Sequence, residues 1–228
     1  MQYLGGKSKT RKPIAAFIES KREGLPYLEP FCGGCWITQE VSGDRTASDG
    51  NKALITMYQF LQKGWLPPDE ISEEEYAVYK RTQPLDDPLT AFIGIGCSFG
   101  GKWFGGYARQ YTGYNFAVGG RNSLKRQLPK IQDVVFLHRQ YTGYSPVNHI
   151  IYCDPPYAKT TGYDGCAKFD SILFWNIMRE WSENNIVIIS EYSAPEDFKC
   201  VLEIPTKTII RDSENQPIQT VEKLFMLS

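Results

Sequence analysis

The stretch IIYCDPPY, at positions 150–157, constrains the fold of this chain more than any other. Its first four residues are apolar or large, and they predict a buried β-strand. Pro155 and Pro156 have no backbone N–H group to donate, so the strand ends there. Asp154 is held extended by the proline that follows it. The pattern predicts a stiff corner that presents a carboxylate, carbonyl groups and the ring of Tyr157, although a purely structural turn would share it.

Strands and helices alternate on both sides of a less regular middle. Strands are predicted over residues 27–31, 45–49, 134–141, 149–154 and 185–192, with a closing antiparallel pair at 207–212 and 220–227 around a polar loop at 213–219. Helices are predicted over residues 35–42, 51–64 and 171–184. Alternation of this kind is typical of an α/β fold with a parallel sheet.

The middle of the chain separates its charges. Residues 68–88 hold seven acidic side chains against two basic ones, and residues 99–142 hold seven lysines and arginines against Asp133 alone. Aromatic residues lie among glycines in the first part of the basic segment, at Phe99, Trp103, Phe104, Tyr107, Tyr111, Tyr114 and Phe116. Because glycine disfavours helix, we predict a loop or β-hairpin over residues 99–116.

Composition excludes several classes of protein. The 228 residues carry a net charge of -1, which argues neither for nor against nucleic acid as a partner. No apolar run approaches the roughly 18 residues of a membrane span, and the first residues lack the apolar core of a signal peptide. Six irregularly spaced cysteines favour a reducing compartment, so we expect a cytoplasmic protein. Cys32 and Cys35 have metal-ligand spacing, but no second ligand pair accompanies them near His138 or His149, so no metal is predicted.

Three of the predicted strands end in groups that suit a ligand. EPFCGG, residues 29–34, follows the first strand, Asp49 ends the second, and Asp154 ends the strand described above. Ligands of open parallel sheets bind at the carboxyl ends of the strands, and an acid after the second strand can accept ribose hydroxyls. Each feature alone would fit a structural turn. Together they predict a nucleoside-containing cofactor, although the glycine spacing is not that of a dinucleotide site.

Six motifs in this order resemble the Dam-type DNA adenine-N6 methyltransferases. They are YLGGKSK at 3–9, EPFCGG at 29–34, SDGN at 48–51, GYNFAVGGR at 113–121, DPPY at 154–157 and TVEKLF at 220–225. The compact chain is similar to phage members of that family. The resemblance implies a Rossmann-like S-adenosylmethionine-dependent methyltransferase sheet with an inserted DNA-recognition region. It also implies methyl transfer from S-adenosylmethionine to adenine N6 in double-stranded DNA.

The resemblance also implies roles for individual residues. The catalytic corner is Asp154, Pro155, Pro156 and Tyr157. The Asp154 carboxylate and the Pro155 carbonyl would accept protons from the amine of a flipped adenine, and Tyr157 would stack on its ring. The cofactor would contact Tyr3, Lys7, Phe31, Gly33, Gly34, Asp49, Gln140, Tyr141 and Asp154. In this set Lys7 would lie near the methionine carboxylate or at the edge of the site, Asp49 would hold the ribose and Tyr141 would lie near the adenine. Gln140 replaces the acid of many relatives.

The basic segment is the predicted DNA surface. Arg109 and Asn115 are the candidates for base contacts, and the candidates for phosphate contacts are Lys102, Arg121, Lys125 and Arg126. The acidic stretch 68–88 is expected to face away from DNA. A solvated basic face around a small aromatic core would give the same composition.

These inferences define one predicted architecture. Residues 1–56 and 131–228 form the catalytic domain, and residues 57–130 form the target-recognition insertion. The protein is expected to be a monomer, or a dimer on DNA, without metal or membrane. The alternatives are a cytosine-N4 or RNA adenine methyltransferase, since the corner requires only an exocyclic amine, and a non-catalytic DNA-binding protein on the same scaffold.

Overall fold

A computed structural model of the chain describes residues 1–109, 113–156, 169–211 and 217–228. Within them, helices α1 to α6 comprise Arg11–Arg22, Lys52–Gln62, Glu73–Thr82, Pro88–Ala91, Phe116–Ile131 and Ser171–Ser182. Strands β1 to β7 comprise Tyr27–Glu29, Arg45–Asp49, Val135–His138, Ile150–Cys153, Ile186–Ser190, Phe198–Arg211 and Pro217–Leu227. A π-helical turn at Phe92–Gly96 and short 3-10 turns at Phe99–Gly101 and Tyr141–Gly143 complete the helical elements.

The strands form one seven-stranded sheet in the order β3-β2-β1-β4-β5-β7-β6. The first five strands are parallel, and β7 runs antiparallel to both of its neighbours. The chain reverses its direction of travel across the sheet between β1 and β4, which is the usual position of a ligand crevice in such folds. The order confirms the predicted α/β fold with a Rossmann-like sheet.

The central strand β4 explains why the sheet has helices on both faces. Ile150 and Tyr152 pack in one apolar cluster with α1, whereas Ile151 and Cys153 pack in another with α6. Successive side chains of a strand point to opposite faces, so a continuous apolar run must be covered on both sides. All four residues are fully buried. This two-sided burial fixes the strand and therefore the position of Asp154 directly after it.

Several sequence predictions are confirmed, and one helix prediction is wrong. The five parallel strands and the closing antiparallel pair form, but β6 begins at Phe198, well before the predicted start at residue 207. Asn51 caps α2 as predicted, by accepting a bond from the Leu54 N–H group. Residues 35–42 form turns and no regular helix. A helix there would join the Ser42 N–H group to the Thr38 carbonyl. Instead Ser42 donates to Glu19 Oε1 at 2.7 Å, and the Thr38 carbonyl accepts from the Arg45 guanidinium at 2.9 Å.

Helices α1, α4 and α5 were not predicted, whereas α3 lies in the acidic stretch 68–88 that was expected to be helical. Helix α1 buries Ile14 and Ile18 against the sheet. Helix α5 contains glycines that lower its helical propensity, yet a Cβ atom on Gly120 would lie only 2.9 Å from the Phe92 ring. The predicted loop at 213–219 is wrong at its end, because β7 begins at Pro217, and residues 212–216 lie outside the described residues.

The predicted insertion 57–130 lies in the connection between β2 and β3. Its first boundary lies inside α2 and its second inside the last turn of α5, so both helices extend across the division. The division of the chain into two parts stays a prediction. None of the helices in the described part of the chain combines the length and apolar character needed to span a bilayer.

Candidate active site at the carboxyl edge of the sheet

The structure brings the motifs of the first and last parts of the chain to one edge of the sheet. The loop 29–34, Asp49 and Asp154 follow or end β1, β2 and β4, which are adjacent strands. Because these strands are parallel, their carboxyl ends meet at the same edge. The N-terminal segment 3–7 closes the edge through contacts with both Gly33 and Asp154.

Asp49 is held between the loop after β1 and the start of α2. Its Oδ2 atom accepts a hydrogen bond from the Gly33 N–H group at 3.0 Å, and its Oδ1 atom accepts one from Asn51 at 2.8 Å. Burial raises the pKa of Asp49, while these two bonds and the nearby His138 oppose the shift. Each carboxylate oxygen can accept a second bond, so the geometry suits a diol as well as the protein backbone.

Glycines at 33 and 34 allow aromatic side chains to approach the backbone. Gly33 has a φ of +44°, and a Cβ atom there would lie 2.9 Å from the Tyr3 ring. A Cβ atom on Gly34 would lie 2.7 Å from Nε1 of Trp36. Tyr58 donates its hydroxyl to the Gly33 carbonyl at 2.9 Å. In this structure the space above Gly33 is therefore filled by Tyr3, and the loop is fixed from both sides.

Lys7 lies between two carboxylates. Its Nζ atom is 2.9 Å from Asp154 Oδ1 and 3.4 Å from Glu222 Oε2, and its side chain is only 7% exposed. Burial alone would lower the pKa of Lys7, but the charges of Asp154 and Glu222 outweigh it and raise that pKa. Lys7 is therefore an ammonium ion bound to the predicted catalytic acid, a contact that the predicted role at the methionine carboxylate did not include.

Glu222 is the residue of this cluster to which sequence reasoning gave no role. The signal was present, because Glu222 is the acid of the TVEKLF motif in the closing strand. The motif alone does not reveal the contact, since Lys7, Asp154 and Glu222 lie far apart in the chain and meet only through the sheet order.

Glu29 is a second buried acid behind the corner. Its Oε2 atom accepts hydrogen bonds from the hydroxyls of Tyr27, at 2.7 Å, and Thr38. Burial raises the pKa of Glu29 to about 8, although the bonds from Thr38 and Tyr27 oppose the shift. Glu29 is therefore mostly protonated at neutral pH, and it ties the end of β1 to the turns at 36–40.

Aromatic rings form an apolar wall beside these acids. Phe31 lies 5.1 Å from Tyr141 and 6.0 Å from Phe174, measured between ring centroids. Gln140 lies so close to Gly50 that a Cβ atom there would be 2.5 Å from the Gln140 amide nitrogen. The predicted adenine-side residues are thus brought together next to Asp49.

The corner itself lies beside a cavity of about 270 Å³. Its lining includes Pro155, Phe169, Trp175, Glu191, Ser193 and Pro195. Asp154 is 20% exposed, Pro155 is buried and Pro156 is exposed. Tyr157, the fourth predicted catalytic residue, lies outside the described residues. The described part of the corner places a carboxylate and a buried proline next to an open volume.

The two predicted base-contact residues have partners inside the protein. Arg109 binds Glu73 with two of its nitrogens, one of them at 3.2 Å. Asn115 caps α5 through the Val118 N–H group at 3.0 Å and donates its amide to the Asp69 carbonyl at 3.1 Å. Both candidates thus contact the acidic stretch 68–88, which was predicted to face away from DNA.

The predicted phosphate-contact residues differ in their surroundings. Arg121 donates to the Pro67 carbonyl at 2.5 Å, and Lys102 is partly buried. Lys125 and Arg126 are exposed neighbours on α5. Arg126 also lines a second cavity of about 270 Å³ with Trp36. These two exposed side chains are therefore the more accessible part of the predicted surface.

The cysteines of the CGGC sequence are buried thiols. Cys32 and Cys35 are free, and burial raises the pKa of both. Within the described ranges, no group of three or more histidine, cysteine, aspartate or glutamate side chains is arranged to hold a metal ion.

Comparison with protein families gives one match. Residues 3–87 match the model of the D12 class N6 adenine-specific DNA methyltransferases. The matched part contains Tyr3, Lys7, the loop 29–34 and Asp49, but not the corner at 154–157. The match supports S-adenosylmethionine-dependent methyl transfer as the class of activity. A comparison with curated proteins gives no match.

Solved structures of methyltransferases are similar at low sequence identity. A Pyrococcus horikoshii protein assigned as an RNA methyltransferase has a TM-score of 0.43 and 9% identity, over 97% of this chain and 84% of its own. The rRNA methyltransferase aviRa from Streptomyces viridochromogenes has a TM-score of 0.38 and 10% identity, over 93% and 83%. A methyltransferase solved with SAH has a TM-score of 0.37 and 10% identity, over 97% and 53%.

Proposed function

We propose that this protein transfers a methyl group from S-adenosylmethionine to the N6 amine of adenine in double-stranded DNA. The observation that carries the proposal is the position of the Asp154 corner, which lies two strands from Asp49 at one edge of the sheet and is bound to Lys7. The family match over residues 3–87 supports the same chemistry.

The residues at this edge fit the chemistry of S-adenosylmethionine, which supplies a methyl group on a positively charged sulfur. Asp49 retains acceptor capacity for two ribose hydroxyls. Phe31 and Tyr141 offer an apolar wall for an adenine ring. The loop at Gly33 and Gly34, with Tyr3 above it, borders the same space.

Asp154 and Pro155 orient the target amine. The Asp154 carboxylate and the Pro155 carbonyl each accept a hydrogen bond from one N–H group of the amine, so the nitrogen lone pair points away from both acceptors. The Lys7 ammonium group binds one Asp154 carboxylate oxygen at 2.9 Å and fixes its position. The prolines keep both acceptors in place, because their ring fixes the backbone. Catalysis by these residues is then a matter of positioning and electrostatics.

A base in a duplex must leave the stack before such a corner can reach it. Phe99 is 77% exposed, and its backbone N–H group donates to the Gly106 carbonyl at 2.8 Å. The Leu4 N–H group donates to the Gly101 carbonyl at 3.1 Å, which joins this turn to the N-terminal segment. We propose that the Phe99 ring fills the gap left by the flipped base.

The remaining surface assignments extend the same proposal. Lys125 and Arg126 contact phosphates, with Lys102 and Arg121 beside them in the insertion 57–130. Arg109 is paired with Glu73 in the free protein, so this ion pair must break before Arg109 contacts a base.

The test is an assay of the wild-type protein with isotopically labelled S-adenosylmethionine. Duplex DNA, single-stranded DNA and RNA of the same sequence are the substrates, and the nucleosides are identified by mass spectrometry. The proposal predicts N6-methyladenine in DNA. N4-methylcytosine, or methylated RNA alone, would overturn the substrate assignment, and binding to DNA without any methylation would favour a non-catalytic role.

A further inference from the structure

We propose that Glu222 is a positioning residue of the methyl-transfer site, which holds Lys7 between two carboxylates and sets the charge around Asp154. This inference rests on the proposed function and deepens it, because it assigns a role to the closing strand β7.

The contacts form a continuous chain of four side chains. Ser190 donates its hydroxyl to Glu222 Oε1, and Glu222 Oε2 lies 3.4 Å from Lys7 Nζ. Lys7 Nζ lies 2.9 Å from Asp154 Oδ1. Ser190 and Lys7 therefore engage different oxygens of the Glu222 carboxylate. The Glu222 side chain is 14% exposed, so the cluster is shielded from bulk water.

The strand register explains why Glu222 reaches the site. Ser190 ends β5 and pairs with Leu224 of β7, so Glu222 lies beyond the carboxyl end of β5. Glu222 and Leu224 are two residues apart and point to the same face. Leu224 is fully buried in the apolar cluster around α1. Glu222 therefore lies on the same side of β7 as the buried Leu224, at the edge of the sheet where Asp154 also lies.

The charge of the cluster distinguishes this role from an ordinary ion pair. Lys7 carries one positive charge, and Asp154 and Glu222 carry one negative charge each, so the three together carry one net negative charge. Glu29, the next acid behind Asp154, is mostly protonated at neutral pH. One net negative charge suits a methyl donor with a positively charged sulfur. Without Glu222 the cluster would be neutral, and Lys7 would keep its ion pair with Asp154.

Removal of Glu222 should also change the ionisation of Lys7. Among the described residues, the titratable groups around Lys7 are Asp154 after β4, Glu222 on β7 and, behind Asp154, the mostly protonated Glu29 at the end of β1. Asp154 and Glu222 both raise the pKa of Lys7 against the effect of burial. The loss of one of them lowers that pKa, so Lys7 loses its proton at a lower pH.

The test compares Glu222→Gln with the wild type in two measurements. In single-turnover assays, the variant should be slower by between about 10- and 100-fold, and its loss of activity at alkaline pH should begin about one pH unit lower. An NMR titration of Lys7 should show the same displacement without any substrate. Glu222→Asp should restore part of the rate.

Glu203→Gln is the matched control. Glu203 lies in β6 opposite β7 and binds the partly exposed Lys223 at 3.1 Å, so its loss should change neither measurement. If Glu222→Gln does not fold, Ser190→Ala takes its place, because it removes the hydroxyl that donates to Glu222. Its loss of activity at alkaline pH should also begin at a lower pH than in the wild type, by a smaller amount.

The inference is wrong if the Lys7 titration is unchanged in Glu222→Gln, or in Ser190→Ala when only that variant folds. It is also wrong if the rate falls only as far as thermal stability does, with an unchanged pH profile. A wild-type protein that methylates no nucleic acid would refute the proposed function instead, and the NMR titration would still decide whether Glu222 holds Lys7.

Discussion

Glu29→Gln tests how the acids at the end of β1 are ionised. The Glu29 side chain is 2% exposed, and its two hydrogen bonds come from the hydroxyls of Tyr27 and Thr38. Burial raises its pKa from 4.5 to about 8. Glutamine has nearly the same shape and can still accept both bonds, but it has no charge to bury. The substitution therefore isolates the cost of the carboxylate.

The sign and size of the effect follow from the two pKa values. Because the folded-state pKa is the higher one, the contribution of Glu29 to stability is fully present below pH 4.5 and is lost as the pH rises through 8. Between pH 5.5 and pH 8 this loss amounts to about 3 kcal/mol. In Glu29→Gln that part of the pH dependence disappears. The free energy of unfolding of the variant, relative to that of the wild type, therefore rises by about this amount between pH 5.5 and pH 8.

The assay is urea unfolding of both proteins at several pH values between 5.5 and 8. Glu40→Gln is the control, because burial raises the pKa of Glu40 but the hydrogen bonds and charges of Lys130 and Arg11 together outweigh it and lower that pKa. Its loss should destabilise the protein by the same amount throughout this interval, since the contribution of Glu40 is lost only as the pH falls below 4.5. If the free energies of unfolding of the wild type and Glu29→Gln change in parallel with pH, Glu29 is already ionised in the folded protein over this interval.

Three further outcomes follow from the proposed function. Asp49→Ala should weaken S-adenosylmethionine binding by between about 10- and 100-fold in calorimetry, since a charged acceptor is lost, and unchanged affinity would place the ribose elsewhere. Lys125→Ala with Arg126→Ala should weaken binding to all duplexes alike. The slope of the logarithm of the binding constant against the logarithm of salt concentration should decrease in magnitude by about 0.9 per lost phosphate contact. An altered sequence preference would contradict a phosphate role. Phe99→Ala should slow methylation of a matched duplex more than of a single strand, and Phe99→Trp should restore it; equal loss on both would exclude a role in base extrusion.

The sequence predicts most of the sheet because its strands carry local signals. Two prolines end β4 whatever surrounds them, and Asp49 ends the short predicted strand RTASD, so both acids are placed at strand ends without tertiary information. Asn51 begins α2 as predicted, since its side chain acts on a backbone group three residues away.

The errors arise where distant residues decide the local structure. Residues 35–42 form no regular helix because Glu19 and Arg45 bind the Ser42 N–H group and the Thr38 carbonyl, which a helix would join. Helix α5 forms despite Gly119 and Gly120 because Gly120 permits close packing against Phe92. Such effects depend on contacts that no short pattern contains.

The candidate site was predicted in part for the same reason. Its acids and glycines are recognisable in their motifs, whereas their partners are set by the sheet order. Lys7 was expected at the cofactor, but the strand arrangement brings it to Asp154 and Glu222. The protonated state of Glu29 depends on burial by residues that lie far away in the sequence.

The central claim is that Asp154 orients an adenine amine for methyl transfer, and Asp154→Ala tests it most directly. Asp86→Ala is the control, because Asp86 is an exposed aspartate that pairs with Lys52. Single-turnover assays on a duplex, with mass analysis of the nucleosides, report the rate and the product together. We expect N6-methyladenine from the wild type and from Asp86→Ala, and a loss of about 100-fold or more in Asp154→Ala. Turnover by Asp154→Ala close to that of the wild type would contradict the account.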